Sequence, residues 1–314
     1  MDTNAIVTQD LTRDFGSVRA VDGLTLEVPN GIVFGFLGPN GAGKTTTIRL
    51  LLGLLAPTGG SAQVLGYDVI RQADEIRTRT GALLEHHGLY ERLSAEDNLE
   101  FYGRIYRMPA KERQARIREL LEHIGLWERR KDMVGNWSRG MKQKLAVART
   151  LLAKPALVFL DEPTAGLDPM ASVALREDLA GLAAKEGITI FLNTHNLGEA
   201  EKLCRMVGVI RDGKLQALGS VEELRMSSGR PKAIITGSGF SEAALLELRK
   251  DPDVTTAELS DHTVTIEFER PVEVAPIVSF LVSKGAQVEE VRKGQASLED
   301  VFMTLMQEEQ EVQA

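Results

Sequence analysis

The pattern G-x-x-x-x-G-K-[ST], typical of a phosphate-binding loop, is matched without a gap by Gly38, Pro39, Asn40, Gly41, Ala42, Gly43, Lys44 and Thr45. Glycines allow successive backbone N–H groups to turn toward phosphate oxygens, and a helix N-terminus adds the positive end of its dipole. We expect Lys44 to reach the β- and γ-phosphates and the hydroxyl of Thr45 to hold Mg²⁺, with Thr46 as a further contact. The loop therefore predicts a site for a nucleoside triphosphate.

The elements on either side of this loop support that prediction. Residues 32–37 predict a buried strand that enters the loop, and residues 45–52 predict the helix that leaves it. An ordinary glycine-rich turn is the alternative interpretation. The flanking strand and helix argue against it, because a phosphate-binding loop connects these two kinds of element.

A second segment places two carboxylates where a nucleotide site needs them. Four apolar residues, 157–160, precede Asp161 and Glu162, so a buried strand would carry both acids to its C-terminal edge, where α/β sheets bind ligands. We expect Asp161 to hold Mg²⁺ and Glu162 to polarise the water that attacks the γ-phosphate. A carboxylate set against water favours hydrolysis over transfer to a substrate hydroxyl.

Composition narrows the class of protein. The chain has 314 residues, 43% of them hydrophobic and 26% charged, as in ordinary globular proteins. Its formal net charge of −8 argues against a nucleic-acid partner, which would require basic patches. No window is apolar enough to cross a membrane, and the first residues lack the features of a secretory signal. If the protein works at a membrane, we expect another chain to supply the span.

The order of predicted elements indicates an α/β domain over residues 1–225. Residues 24–28 alternate between apolar and polar side chains and predict a flanking antiparallel sheet. The apolar runs 156–160 and 188–192 are typical of parallel strands buried on both faces. The region from about residue 85 to residue 150 is charged and has a strongly helical sequence pattern. It predicts a helical subdomain inserted between the loop and the central strand.

A second, smaller domain is predicted at residues 232–314, after a linker at 226–231. Its elements are expected in the order βαββαβ of a ferredoxin-like α+β fold, with a final helix beginning at Ser297 and capped with Asp300. It carries no catalytic constellation, so we interpret it as an accessory module for dimerisation or regulation. The predicted strands are 232–237, 253–258, 262–268 and 287–292, and the predicted helices are 241–250 and 273–284.

Over residues 1–225 the chain resembles the ATP-binding-cassette (ABC) ATPases, which implies a P-loop NTPase fold for this α/β domain. Beside the loop and the acid pair, residues 137–141 are similar to the family signature L-S-G-G-Q at Ser138 and Gly140. The resemblance implies that Ser138 and the N–H of Gly140 clamp the γ-phosphate of an ATP bound to the opposite subunit. It also implies that residues 164–168, ending at Asp168, form a loop that crosses the dimer interface.

Two further positions take roles from the same resemblance. His195 matches the family's switch histidine, which would contact the γ-phosphate and fix Glu162 and the attacking water. Phe15 lies where the family places an aromatic ring against adenine, and stacking on a base is sequence-tolerant. The alternative for Phe15 is an ordinary core position.

The chain also departs from the family pattern. Glu85 stands where the family has a glutamine that contacts Mg²⁺ and signals to the membrane partner. A carboxylate is a hard oxygen donor, so we expect Glu85 to keep the metal role. Arg139 and Met141 replace Gly and Gln in the signature.

The resemblance implies an ATPase, with ATP and Mg²⁺ as cofactors, that works as a head-to-tail dimer with a second ATPase subunit, expected to be an identical copy. Separate polytopic membrane permease subunits would bind it at the cytoplasmic face of the membrane. Residues 89–99 and 297–302 are similar to bacterial drug-resistance-type exporter ATPases, which favours export.

Two alternatives remain open at this point. One is a soluble, non-transport cassette ATPase of the translation or DNA-repair type, although such proteins usually carry two cassettes or a long coiled coil. The other is a kinase or GTPase, which would share the phosphate-binding loop but not the signature or His195.

Overall fold

The computed structural model describes residues 4–228, 231–270, 272–294, 297–303 and 305. The chain divides between Gly219 and Ser220 into two compact units. Among the described residues, no helix is both long and apolar enough to cross a bilayer.

The first unit is built from ten strands and seven α-helices among the described residues, with two short 3₁₀ helices, Trp127–Arg129 and Val134–Asn136, before the fifth α-helix. In chain order these elements are β1 (Asn4–Phe15), β2 (Val18–Pro29), β3 (Val33–Leu37), α1 (Lys44–Leu51), β4 (Gly59–Val64), β5 (Tyr67–Asp68), α2 (Ala73–Arg79), β6 (Thr80–Leu83), α3 (Ala95–Ile105), α4 (Ala110–His123), α5 (Arg139–Leu151), β7 (Leu157–Asp161), α6 (Pro169–Glu186), β8 (Thr189–Thr194), α7 (Leu197–Leu203), β9 (Met206–Arg211) and β10 (Lys214–Ser220).

A six-stranded sheet in the order β10-β9-β3-β8-β7-β6 forms the centre of this unit. Strands β9, β3, β8, β7 and β6 pair in parallel. Every residue of β7 and β8 is buried, which confirms the prediction from their apolar runs. The rings of Phe34, Phe36 and Phe159 all pack around Phe191, with centroids 5.3–5.6 Å apart. This core fixes the ends of the strands that carry the functional residues.

A second sheet, in the order β2-β1-β4-β5, is antiparallel, as predicted. Along β2 the residues Leu24, Leu26 and Val28 are buried, whereas Thr25 and Glu27 between them are exposed. This period of two is the alternation seen in the sequence.

Helices α3, α4 and α5 occupy the predicted helical region. Helix α4 shows why its charged sequence belongs in a packed domain. The guanidinium of the buried Arg113 is bonded to Glu100 on α3, and that of the buried Arg116 is bonded to Glu186 on α6. The long side chains thus bury their stems while their charges remain paired.

The predicted linker at 226–231 is wrong in its first part. A helix, α8 (Val221–Ser228), covers residues 226–228, and the division between units lies before it. The helix begins with a capping box: the N–H of Glu223 donates to Ser220 Oγ at 3.1 Å, and the N–H of Ser220 donates to Glu223 Oε2 at 2.8 Å. Residues 229 and 230 of the expected linker lie outside the described residues.

After α8 the second unit continues with β11 (Lys232–Ser238), α9 (Glu242–Leu248), β12 (Val254–Ser260), β13 (Thr263–Phe268), α10 (Ala275–Ser283) and β14 (Gln287–Gly294). Its four strands form an antiparallel sheet in the order β12-β13-β11-β14. With α9 and α10 this is the predicted ferredoxin-like arrangement. Ser297 and Asp300 form the predicted capping box, with Ser297 Oγ accepting from the Asp300 N–H at 3.2 Å and Asp300 Oδ2 accepting from the Ser297 N–H at 2.8 Å. Residues 306–314 of the expected domain lie outside the described residues.

Candidate nucleotide site

The phosphate-binding loop connects the end of β3 to the start of α1. This helix begins at Lys44, one residue earlier than the sequence predicted. Two of its glycines are required by close contacts. A Cβ on Gly38 would lie 2.2 Å from the carbonyl oxygen of Ile210, and one on Gly43, whose φ is 103°, would lie 2.3 Å from that of Ala20. The loop therefore takes its shape because its backbone presses against β9 and β2, where no larger side chain fits.

Lys44 is the first residue of α1, and its ammonium group lies inside the loop. Nζ donates to the carbonyl oxygens of Gly38 at 2.7 Å and Pro39 at 3.1 Å. Burial lowers the pKa of Lys44, while the nearby carboxylates of Glu162 and Asp161 oppose that shift. Nζ is 3.9 Å from Glu162 Oε1, so one cation lies between the loop and the acid pair.

The oxygen donors expected to hold Mg²⁺ are adjacent. Thr45 Oγ1 donates to Asp161 Oδ2 at 2.7 Å, and Asn193 Nδ2 donates to Asp161 Oδ1 at 3.1 Å. Asp161 is buried, and the amide of Asn193 on the neighbouring strand fixes the orientation of its carboxylate. A hydroxyl beside a carboxylate is a donor set that fits a small hard cation that retains several waters.

Glu162 turns away from Asp161 and contacts His195. His195 Nδ1 lies 2.8 Å from Glu162 Oε1, which makes a hydrogen bond between the ends of β8 and β7. Glu162 has φ 50°, a conformation unfavourable for most non-glycine residues, and its N–H donates to the carbonyl of Asn193 at 2.9 Å. The backbone is thus held in a left-handed turn that aims the carboxylate at the loop.

A cavity of about 190 Å³ opens between these groups. Eight of the nine residues around it are among those predicted from the sequence. The ninth, Ala20, could not be found that way, because an alanine carries no chemistry and its place depends on how β2 packs against the loop. The lining consists of Ala20, Asn40, Gly41, Gly43, Lys44, Thr45, Thr46, Asp161 and Glu162.

Comparisons with known proteins show the family of the chain. A family model described as ABC transporter matches residues 21–165, and one described as the C-terminal domain of DrrA1-3-like ATP-binding proteins matches residues 219–306. The chain is 36% identical to the bacitracin transport ATP-binding protein BcrA of Bacillus licheniformis, over 96% of this chain and 97% of that protein. The chain belongs to the ABC transporter ATP-binding proteins.

Other relatives place it near the drug-resistance members of this family. The daunorubicin/doxorubicin resistance ATP-binding protein DrrA of Streptomyces peucetius is 35% identical over 96% of this chain and 92% of its own length. A solved structure, that of an ATP-binding subunit of an ABC transporter, matches with a TM-score of 0.64 and 32% identity, over 71% of this chain and 92% of that one. As an ABC ATP-binding protein, the chain binds ATP.

The predicted signature segment, residues 137–141, lies at the start of α5. Ser138 is the N-cap of that helix, and its Oγ accepts from the N–H of Met141 at 3.3 Å. Gly140, in the first turn, packs against α6, since a Cβ there would lie 3.3 Å from that of Ala171. Asp168 caps α6 and accepts from the N–H of Ala171 at 2.9 Å. The cavity lining includes none of these three predicted residues.

The departure at Arg139 has a structural counterpart. Its guanidinium lies over Gly166, where a Cβ would come within 2.2 Å of Arg139 Nη1. Gly166 also has φ 70°. The signature segment and the loop before Asp168 therefore touch each other within one chain, and Gly166 is needed for that contact.

Phe15 and Glu85 also lie outside the set that lines the cavity. The ring of Phe15 is 44% exposed, with the guanidinium of Arg13 4.5 Å from its centroid, so the alternative that it is a core residue is wrong. Glu85 pairs with Arg49 on α1 at 3.0 Å, and its side chain is 60% exposed. Its expected contact with Mg²⁺ stays a prediction.

Proposed function

We propose that this ABC protein is the ATP-hydrolysing subunit of an exporter, working with separate polytopic permease subunits. The observation that carries the hydrolytic part is the contact of Glu162, which lines the cavity, with both His195 and Lys44. A carboxylate held between an imidazole and an ammonium, beside phosphate-binding groups, is placed to act on a water molecule.

The chain's own residues then divide the reaction between them. The loop N–H groups and Lys44 bind the β- and γ-phosphates, and Thr45 with Asp161 would hold Mg²⁺. Bound Mg²⁺ would supply positive charge to the phosphate oxygens. Glu162 accepts a proton from the attacking water, while the hydrogen bond from His195 holds its carboxylate in place. The products are ADP and phosphate.

Three of the remaining predicted residues would act through a second copy of the chain. Ser138 and Gly140 of one copy would clamp the γ-phosphate held by the other, with Asp168 at the interface. Support comes from the absence of these three residues from the lining of the chain's own cavity. Phe15 is proposed to stack on the adenine, and Glu85 to be a further Mg²⁺ ligand.

Export is supported by the relatives, whose printed descriptions are bacitracin transport and daunorubicin resistance, and which match nearly the whole chain, including its second unit. The soluble alternative of the translation or DNA-repair type is not favoured. We propose a position on the cytoplasmic face of the membrane, held there by the permease.

The test is a mild-detergent pull-down of the tagged chain from its native host, with the untagged chain as control. We expect a stoichiometric polytopic membrane protein and an ATPase rate that depends on it. Ribosomal or repair proteins with no membrane partner would overturn the transport part of the proposal and leave the nucleotide site unaffected.

A further inference from the structure

A carboxylic acid that the proposed mechanism does not use lies buried behind the site. Glu199, in the first turn of α7, is only 2% exposed. Its Oε2 accepts hydrogen bonds from Thr164 Oγ1 at 2.8 Å and from Thr194 Oγ1 at 3.4 Å. Both threonines are buried as well. Burying a carboxyl group costs free energy unless its contacts offset the loss of water, so this position needs an explanation.

The two threonines lie on the two chain segments that carry Glu162 and His195. Thr164 follows Glu162 by two residues, and Thr194 immediately precedes His195. Glu199 therefore joins, from behind, the same two segments that the Glu162–His195 hydrogen bond joins at the cavity.

The start of α7 is fixed by its own bonds, so Glu199 is a rigid support. The side chain of Asn196 caps the helix by accepting from the N–H of Glu199 at 3.1 Å. The N–H of Asn196 in turn donates to Thr194 Oγ1 at 3.0 Å. A shift of Glu199 would consequently move the strand end that carries His195.

We propose that Glu199 is a positioning residue that holds Glu162 and His195 in register through Thr164 and Thr194. The inference rests on the proposed hydrolytic function. Because the hydrogen bond between Glu162 and His195 is short only while the two strand ends stay in place, losing the support behind them would slow the chemical step and leave nucleotide binding nearly intact.

The surroundings of Glu199 favour its neutral form. Burial raises the pKa of Glu199, and the carboxylate of Glu162 adds to that, while Thr164, Arg176 and Thr194 oppose it. The buried thiol of Cys204 is also near. Among the described residues, none is bonded to Glu199 Oε1. A glutamine has nearly the same shape and still offers an acceptor oxygen to both threonines, so it is the conservative variant at this position.

The experiment compares Glu199→Ala with Glu199→Gln by steady-state ATPase kinetics and by equilibrium binding of a fluorescent ATP analogue. For Glu199→Ala we expect kcat to fall by about tenfold to a hundredfold, as is usual for catalytic groups misplaced by about 1 Å, with ATP affinity changed by less than about threefold. Glu199→Gln should retain about half of kcat or more, because its oxygen still accepts from both threonines.

Glu186→Ala is the matched control, because it also removes a partly buried acid of this unit that bonds to a buried side chain, that of Arg116, at 2.6 Å. It should lower the thermal unfolding midpoint without lowering kcat. If Glu199→Ala does not fold, Thr164→Val, which removes one hydrogen bond and keeps the shape, should lower kcat in the same direction.

Three results would overturn the proposal: an unchanged kcat in both Glu199→Ala and Thr164→Val, a loss matched by Glu186→Ala, or a glutamine variant as defective as the alanine variant. Failure of the proposed hydrolytic function would look different. In that case Glu162→Gln itself would hydrolyse ATP at the rate of the unmodified protein.

Discussion

The phosphate-binding loop and the signature segment are both associated with helix N-termini, but they differ in what surrounds them. At the loop, Lys44 and Thr45 bond to groups of the same chain around a cavity, and Asp161 and Glu162 face it from the end of β7. At the signature, the polar side chains of Ser138 and Asp168 only cap the helices that they begin. One region is a formed pocket and the other is a pair of helix ends.

The difference suggests how the two regions divide the work. Ser138 Oγ accepts from Met141, which leaves its own hydroxyl hydrogen to donate elsewhere. Gly140 is the second residue of α5, where helix geometry leaves the backbone N–H without an intrahelical partner. Two donors at a helix N-terminus favour an anion. This is the physical basis for proposing that the signature contacts a phosphate held by a second copy.

The largest effect in this comparison of the two regions is expected for Glu162→Gln. The amide keeps the shape but cannot accept the proton of the attacking water, so we expect turnover to fall by about 10²- to 10⁴-fold with ATP still bound. Because the nucleotide stays bound and is not cleaved, a closed dimer should accumulate. Size-exclusion chromatography with light scattering would measure it. A variant that stays monomeric in ATP and turns over normally would contradict the role of Glu162.

Ser138→Ala tests whether Ser138 is only a helix cap or also a phosphate ligand. Ser94 is a matched control, since it caps α3 by accepting from the N–H of Asp97 at 3.0 Å. Either alanine should lower the free energy of unfolding by about 0.5–2 kcal/mol through the lost cap, measured by urea denaturation.

Only Ser138→Ala should also lower the ATPase rate, by about tenfold, because it removes a charge-assisted donor to phosphate as well. Equal ATPase rates in the Ser138 and Ser94 variants would mean that Ser138 acts only as a helix cap. They would also favour the kinase or GTPase alternative again.

The same contrast explains what the sequence could predict. The sequence predicts the loop, the acid pair and the buried strands, because residues of particular types occur at fixed spacing beside long apolar runs. It does not predict the places of Glu199 and Ala20. Glu199 looks like one more exposed charge on a short helix, and its burial depends on strands distant along the chain. The start of the predicted linker is wrong for a different reason, since the Ser220–Glu223 capping box begins a helix that extends into it.

The smallest expected effect concerns Glu85, which lies between the two regions in sequence and follows β6. In the structure its carboxylate pairs with Arg49, and the side chains of Glu85 and Arg49 are 60% and 40% exposed. Such a surface pair contributes about 0–1 kcal/mol, so Glu85→Gln should leave stability nearly unchanged. If Glu85 also ligates Mg²⁺, the weaker amide donor should raise the Mg²⁺ concentration for half-maximal ATPase activity by about two- to fivefold.

Glu75→Gln is the control for that measurement, because Glu75 is likewise an exposed acid in an ion pair, with Arg79 on α2. It should change neither stability nor Mg²⁺ dependence. If Glu85→Gln behaves in the same way, and the permease-stimulated rate is also unaltered, Glu85 is a surface partner of Arg49 and the metal ligands reduce to Thr45 and Asp161. A shift seen only for Glu85 would instead mean that the carboxylate leaves Arg49 when Mg-ATP binds.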